Sequence, residues 1–295
     1  MRSWQSALVE LLLKLTKKPF DPTTYLEKKR REHESPYVLP SKLQRKYSIV
    51  KTNAYSIDTY MMKSPWQPDE RQILFLPGGG YIEQPLVWHW RFLYQLTQKL
   101  NGTITIPIYP KAPNYQYHEA LASVLPIYKD LLTKTSPENI VIMGDSAGGG
   151  LTLALSQLIL REGLPQPGNI ILLSPWLDIN LDHPEIPSLL KVEPMLDLPL
   201  LIEAGKTYAG DTPTNDYLIS PINGPIHGLG KITLFIGTHE IFLPDARKFK
   251  ALAEKEKVDI NYFEYPKMNH VFPVFPIPEA KKAMEQIIDI IKSKQ

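Results

Sequence analysis

The sequence predicts an α/β fold in which a mostly parallel central sheet is covered by helices on both faces. Short apolar segments typical of buried strands alternate with longer segments of helical character along most of the chain. Repeated strand–helix alternation of this kind is typical of parallel sheets. The chain is also long enough to bury a large core, with 295 residues of which 43% are hydrophobic.

The N-terminal residues differ in character from the rest of the chain. Residues 16–45 are rich in Lys, Arg, Glu and Pro, which favours a solvated, partly helical extension over sheet. Before them, Leu8, Leu11, Leu12 and Leu15 recur at helical spacing and predict one amphipathic helix. We expect this apolar stripe to pack on its own domain. The alternative is a helix that lies on a membrane surface.

Strands and helices are then predicted in order. The segment "YSIVKTNAYSIDTYMM" predicts two antiparallel strands with a turn near Asn53. The following predicted strands are 72–76, 103–110, 139–144, 169–176, 231–237 and 260–265. The helices that alternate with them are 86–100, 117–135, 147–163, 245–257 and 278–294. Residues 175–225 interrupt the alternation with many prolines and one helical segment, which we interpret as an insertion above the strand ends.

Composition excludes several classes of function. The 33 Lys and Arg nearly balance the 31 Asp and Glu, so overall charge does not favour nucleic acid or an anionic membrane as the main partner. The absence of cysteine excludes disulfides, thiolate metal sites and cysteine nucleophiles. Glu10 interrupts the leading apolar stretch and no cleavage site follows, so we expect a cytoplasmic protein without a membrane-inserted segment.

The segment "IVIMGDSAGGG" contains the candidate nucleophile, Ser146. A serine hydroxyl is a weak nucleophile, and a tight turn from a strand into a helix exposes it to both a base and a substrate. Such a turn needs small neighbours, and Gly144 and Gly148 stand two places to either side. The alternative is a glycine-rich helix start with a capping serine.

A serine nucleophile needs a histidine as base and a carboxylate that orients the histidine. We expect them in the order serine, acid, histidine, each just after a strand. His270 follows the last predicted strand and is the candidate base, whereas His239 would have no suitable acid before it. Glu240 follows the strand 231–237 and is the favoured acid, with Asp245 as the alternative.

The segment "LPGGGY" is the candidate oxyanion hole. Glycines allow the backbone to approach a substrate closely, and backbone N–H groups can stabilise the negative oxygen formed during acyl transfer. We expect the N–H groups of Gly79, Gly80 and Ala147 to form this hole. The stretch does not fit a phosphate-binding loop because no Lys-Ser or Lys-Thr follows it.

Six motifs follow one another within about residues 70–275: "GGG", "YPKAPNYQYHEAL", "GDSAGGG", "LLSPWLD", "GTHEIFLPDA" and "MNHVF". Together, in this order, they resemble the hormone-sensitive-lipase-like group of α/β-hydrolases, in its bacterial carboxylesterase branch. The resemblance implies an α/β-hydrolase fold, a Ser146–Glu240–His270 triad and the oxyanion hole named above. It also implies a serine carboxylesterase that needs no cofactor or metal, acts on esters of short- to medium-chain acids, and forms a homodimer.

The resemblance further implies a helical cap over the site. We therefore expect an N-terminal cap segment (1–45), a first part of the core (46–174), a cap insertion (175–219) and a second part of the core (220–295). Two features depart from the family. Pro77 stands where the family usually has histidine before the three glycines, and many members have aspartate as the acid.

Two other functions stay open at this point. An amidase or small peptidase would use the same residues, and a ligand-binding relative would keep the pocket without catalysis. Some aromatic residues lie in segments that could line an apolar substrate pocket, although each could equally be part of the core. They are Tyr81, Trp88, Trp90, Trp176 and Tyr208.

Overall fold

The structure is a computed structural model that describes residues 2–17, 19, 21–65 and 70–293. Eight strands form one sheet in the order β1-β2-β4-β3-β5-β6-β7-β8. Their bounds are β1 (Ile49–Thr52), β2 (Thr59–Lys63), β3 (Arg71–Leu76), β4 (Gly102–Pro107), β5 (Ile140–Asp145), β6 (Asn169–Leu173), β7 (Lys231–His239) and β8 (Asn261–Asn269). The pairs β1–β2 and β2–β4 are antiparallel, and all other neighbours are parallel.

Some helices come before the first strand in the chain, and the others flank the sheet. Their bounds are α1 (Trp4–Thr16), α2 (Pro22–Glu32), α3 (Ser41–Lys46), α4 (Val87–Thr97), α5 (Tyr117–Leu132), α6 (Ser146–Arg161), α7 (Ile186–Leu189), α8 (Leu198–Ala209), α9 (Leu243–Lys255) and α10 (Pro278–Lys292). The predicted α/β fold, with a mostly parallel sheet between helices, is confirmed. The predicted end of the last helix at residue 294 lies outside the described residues.

The core lies on both faces of the sheet because successive side chains of a strand point to opposite faces. Leu74 and Ile142 belong to the hydrophobic cluster on one face. Their neighbours Ile73 and Val141 belong to the cluster on the other face. All four are buried, which explains why these strands have continuous apolar sequences.

Helix α2 before the sheet and helix α8 in the insertion begin at side-chain caps. Asp21 accepts a hydrogen bond from the backbone N–H of Thr24 and caps α2. Asp197 accepts one from Leu200 and caps α8 in the same way. Helices α2 and α8 contact each other, so the N-terminal segment and the insertion meet above the sheet.

The prediction that the leucine stripe of α1 packs on its own domain is wrong. The helix forms, but Leu8, Leu11, Leu12 and Leu15 are all exposed. Polar contacts hold the opposite side of α1 against the protein, so that side is the buried one. Within the described residues, no helix is long and apolar enough to cross a membrane.

Candidate active site

Ser146 lies at the junction of β5 and α6, at a turn that only small neighbours permit. Its φ of 53° is in the left-handed region, which L-residues seldom adopt. A Cβ on Gly144 would lie 2.2 Å from the carbonyl oxygen of Gly148, and a Cβ on Gly148 would lie 2.0 Å from that of Leu76. Both glycines are therefore required for the close contact of α6 with β3 and β5.

Hydrogen bonds connect Ser146, His270 and Glu240 in series. The Oγ of Ser146 lies 2.9 Å from Nε2 of His270, and Nδ1 of His270 lies 2.7 Å from Oε2 of Glu240. Because a carboxylate only accepts, Nδ1 carries the proton and Nε2 is the acceptor for the serine hydroxyl. This arrangement can remove a proton from Ser146 and hold it on the imidazole.

The second oxygen of the Glu240 carboxylate is also fully hydrogen-bonded. Its Oε1 accepts from the hydroxyl of Ser174 and from the N–H of Gly237, each over 2.7 Å. Ser174 Oγ in turn accepts from the N–H of Val271, which follows His270. The acid is completely buried, and this network fixes both the carboxylate and the loop that carries the base.

The surroundings of His270 favour its protonated form. Burial alone opposes the charge, but the hydrogen bond and charge of Glu240 outweigh it and raise the pKa of His270 above its ordinary value. The buried carboxylate of Glu193 contributes to this shift. Glu193 accepts from the N–H groups of Met195, Leu196 and Ile241 and thereby joins the insertion to the loop after β7.

The alternative residues for the acid and the base lie elsewhere. Asp245 is in the first turn of α9, and no hydrogen bond or ion pair joins it to His270 among the described residues. Burial, with Asp178 nearby, raises the pKa of Asp245 to about 7. His239 contacts Glu10 of α1 through Nδ1 over 3.0 Å. Neither residue touches Ser146.

The glycine loop after β3 lies beside Ser146. Gly79 has a φ of 126°, a conformation that strains other residues. Gly79 and Gly80 line the same cavity as Ser146, and no described residue accepts a hydrogen bond from their N–H groups. Ala147 is in the first turn of α6, where N–H groups have no acceptor within the helix. Ala147 is therefore next to Ser146 in the chain, and Gly79 and Gly80 lie in the wall of the cavity that contains Ser146.

Three side chains hold the loop around Pro77 in place. The Oδ1 of Asp145 accepts a hydrogen bond from the N–H of Gly78 over 3.0 Å. Nδ1 of His89 accepts from the N–H of Leu86, so Nε2 carries the proton and donates to Asp145. Tyr109 donates to the carbonyl oxygen of Pro77 over 2.6 Å. Asp145, which directly precedes Ser146, thus holds the loop beside the turn after β5, with further support from His89 and Tyr109.

The N-terminal segment also contacts this loop. Glu83 follows the three glycines, and its N–H donates to the carbonyl oxygen of Gly79. Its carboxylate accepts from the hydroxyl of Tyr25 and lies 2.8 Å from the ammonium group of Lys29, both of them on α2. A change in the position of α2 would therefore be transmitted directly to the glycine loop.

Ser146 and His270 open into a mostly apolar cavity of about 360 Å³. Its walls come from α1, α2, the glycine loop, the start of α4, the insertion and the loop after β8. The apolar lining residues are Leu13, Ile82, Leu86, Trp88, Met195, Leu196, Leu200, Leu201, Val271, Val274 and Phe275. A cavity with few polar groups beside the serine suits an apolar, neutral substrate.

Of the five aromatic residues considered above, only Trp88 lines this cavity. Tyr81, Trp90, Trp176 and Tyr208 are almost completely buried. The rings of Tyr81 and Tyr208 stack with centroids 3.7 Å apart, and Tyr81 also stacks on Trp176. Tyr81, Trp176 and Tyr208 therefore pack the insertion onto the core, whereas Trp90 packs against Tyr60 in the cluster on the other face of the sheet. None of the four forms the pocket wall.

Comparison with known protein families gives a match over most of this region. The model of a family described by its alpha/beta hydrolase fold matches residues 73–274. The chain is an α/β hydrolase. The predicted family and the predicted hydrolase class are therefore confirmed.

Individual relatives agree with the predicted carboxylesterase. This α/β hydrolase is 30% identical to an esterase of Acinetobacter venetianus, over 77% of each chain. It is 28% identical to an acetyl-hydrolase of Streptomyces hygroscopicus, over 75% of each. It is also 30% identical to a Staphylococcus aureus protein with a crystal structure. The two structures match over 96% of each chain with a TM-score of 0.89. A hormone-sensitive lipase from a metagenome library has a TM-score of 0.78 at 25% identity, over 93% of this chain and 98% of the lipase.

Three residues of the site were missed in the sequence. His89 lies in the first turn of α4, and nothing in the local sequence pattern relates it to Asp145. Glu193 lies in the irregular insertion and reaches the site only through tertiary contacts. Ser174 lies inside the predicted strand 169–176, but β6 ends at Leu173, so Ser174 directly follows a strand as the other site residues do.

Proposed function

We propose that this α/β hydrolase is a serine carboxylesterase in which Ser146, His270 and Glu240 are the catalytic triad. The proposal rests mainly on the hydrogen bonds that run from Ser146 through His270 to Glu240 beside an apolar cavity. The esterase and acetyl-hydrolase names of its relatives support an ester, rather than an amide, as the substrate. A mostly apolar cavity of about 360 Å³ supports acyl groups of short to medium length.

In the first half of the reaction, Ser146 becomes acylated. Its Oγ attacks the carbonyl carbon of the ester while Nε2 of His270 takes the hydroxyl proton. Glu240 stabilises the imidazolium that forms. The bond between the carbonyl carbon and the alcohol oxygen then breaks, and His270 gives the proton to the departing alcohol. The acyl group remains on Ser146.

In the second half, water releases the acid. His270 takes a proton from the water as its oxygen attacks the acyl carbon, and it returns this proton to Ser146 Oγ as the carboxylic acid leaves. Both halves pass through a tetrahedral intermediate with a negative oxygen. We propose that the N–H groups of Gly79, Gly80 and Ala147 stabilise that oxygen.

The proposed cap consists of residues 1–45 and 175–219. Leu13 and Tyr25 from the first segment and Met195 and Leu201 from the second line the cavity, which supports a joint role in enclosing the substrate. The remaining residues form the two parts of the core. The homodimer and the cytoplasmic location remain predictions, which light scattering and cell fractionation can test.

The first experiment is hydrolysis of p-nitrophenyl acetate, butyrate and octanoate, followed by mass spectrometry after a fluorophosphonate probe. The wild type, Ser146→Ala and Ser188→Ala are compared, because Ser188 is an exposed serine outside the cavity. We expect Ser146→Ala to lower turnover about a thousandfold or more and to abolish labelling. Ser188→Ala should behave as the wild type.

Two results would contradict the proposal. If the wild type is neither active nor labelled, the site binds a ligand without converting it. If p-nitroanilides of the same acids are cleaved faster than the p-nitrophenyl esters, the enzyme is an amidase. The acyl chain with the highest kcat/KM would show how much of the cavity the substrate fills.

A further inference from the structure

Helix α1 presents an apolar face to solvent. Trp4, Leu8, Leu11, Leu12 and Leu15, here called the leucine face, are 47% to 73% exposed. Isolated exposed apolar residues are normal on a protein surface, but a contiguous set on one helix marks an interaction site. The leucine face contains the predicted stripe of four leucines, and the core does not cover it.

Polar contacts on the other side of α1 fix this orientation. Ser3 donates to the carboxylate of Glu279 on α10 through both its N–H and its hydroxyl, over 2.6 and 2.8 Å. The buried carboxylate of Glu10 lies 3.0 Å from His239. Rotating α1 to bury the leucine face would break these contacts and leave buried polar groups without partners. The polar contacts of Ser3 and Glu10 therefore keep the leucine face turned to solvent.

The N-terminal helices carry a strong positive charge that the whole-chain balance conceals. Residues 1–46 contain eleven Lys and Arg against five Asp and Glu, a net charge of +6. The remaining residues contain 22 against 26, a net charge of −4. Lys14 lies in the last turn of α1, and Lys17 is the residue that caps its C-terminus. An apolar face with flanking basic residues is typical of helices that lie on anionic lipid surfaces.

Most of the exposed large apolar residues lie on two elements that also contribute to the cavity wall, α1 and the start of α4. Among the described residues, eight of the twelve exposed large hydrophobic side chains belong to the leucine face or to residues 86–88. Leu13 of α1, together with Leu86 and Trp88, lines the cavity that contains Ser146. The helix thus forms part of the cavity wall on one side and presents the leucine face to solvent on the other.

We propose that the leucine face of α1 docks reversibly on an anionic lipid surface. Trp4 at the end of the face has the indole ring that is enriched at membrane–water interfaces. A second copy of this chain fits less well, because two segments of charge +6 repel each other. One 13-residue helix also offers only part of the about 800 Å² that each partner buries in a stable dimer.

Vesicle binding tests this proposal independently of catalysis. Full-length Ser146→Ala protein is sedimented with vesicles of phosphatidylcholine alone or mixed with phosphatidylglycerol, so that no lipid is hydrolysed. We expect binding to the mixed vesicles to be at least about tenfold stronger, and to weaken as salt is added. Equal binding to both vesicles, or no binding to either, would overturn the proposal.

Matched variants locate the contact. Leu11→Gln/Leu12→Gln/Leu15→Gln should weaken binding at least about tenfold, because three exposed leucines no longer enter the lipid. The control is Val38→Gln/Val50→Gln, which changes two exposed valines outside α1 and should bind as the parent does. Circular dichroism checks that both variants are folded. If the triple variant binds as well as its parent, α1 is not the contact.

Two further readouts distinguish a lipid contact from contact between copies. Tryptophan emission should shift to shorter wavelength on mixed vesicles, and Trp4→Phe should reduce this shift while keeping most of the binding. Light scattering without lipid should give the same mass for the parent and the triple variant. A dimeric parent with a monomeric triple variant would show that the leucine face joins two copies, and would overturn the proposal.

Discussion

His89 donates a hydrogen bond from Nε2 to Oδ2 of Asp145 over 3.1 Å, and this contact joins α4 to the turn that carries Ser146. The other oxygen of Asp145 accepts from the N–H of Gly78 in the glycine loop. One carboxylate therefore sets the position of the loop relative to the proposed nucleophile. His89 acts as a positioning residue, because it orients Asp145 and is not hydrogen-bonded to Ser146.

His89→Leu should lower kcat about tenfold or more and change KM much less, because small displacements of oxyanion donors affect mainly the transition state. His89→Gln should restore part of the rate, since its amide can still donate to Asp145. His118→Leu is the control, as His118 is exposed and outside the site. Steady-state kinetics of the three variants test this, and an unchanged kcat in His89→Leu would exclude the positioning role.

The pH profile of kcat/KM should report the titration of His270. The base must be neutral to accept the serine proton, so the rate falls as the pH drops through its pKa. Glu240 raises that pKa, and the acidic limb should therefore lie above the ordinary pKa of imidazole. Glu240→Gln should move the limb to lower pH and reduce kcat about a thousandfold or more. A limb that stays in place would show that another group controls the profile.

Asp245→Asn should retain most of the activity, because Asp245 does not contact His270. It should also stabilise the protein above neutral pH. The unfolded chain loses the Asp245 proton at about pH 4, whereas burial raises the pKa in the folded chain to about 7. Between about pH 4 and pH 7 the unfolded chain has lost this proton while the folded chain still holds it, so the free energy of unfolding falls as the pH rises. Above about pH 7 Asp245 is ionised in both states, and the full destabilisation of the folded state is present.

Urea denaturation of Asp245→Asn and wild type at pH 5 and pH 8 measures this effect. The gain in the free energy of unfolding should be larger at pH 8, and at most about 4 kcal/mol. Loss of turnover in Asp245→Asn together with full turnover in Glu240→Gln would reverse the assignment of the acid.

Gly148→Ala should severely destabilise the protein, by more than about 4 kcal/mol, because the new Cβ would overlap the backbone of β3. Gly163→Ala is a matched control at the end of α6, where a Cβ would meet no atom within 4 Å. It should cost only about 1–2 kcal/mol, from its positive φ. Chemical denaturation compares the two, or the yield of folded protein if Gly148→Ala does not fold. Equal stability would contradict the steric explanation.

The sequence by itself determined the order of strands and helices and the residues at the strand ends. Short continuous apolar segments identify strands that are buried on both faces. Parallel strands bring their carboxyl ends to one edge of the sheet. For this reason Ser146, Glu240 and His270 could be selected although 124 residues separate the first from the last. The role of Gly144 and Gly148 could be predicted because a tight turn needs small residues close to it in the chain.

Only the tertiary structure decided which side of each helix is buried and which polar groups meet. The leucine spacing of α1 predicts an apolar side, but Glu10 and Ser3 find partners on β7 and α10 and turn that side to solvent. His89 reaches Asp145 only because α4 packs against the sheet, which brings its first turn beside the turn after β5. Such contacts join residues distant in the chain, and their free energy depends on burial and geometry that no local pattern contains.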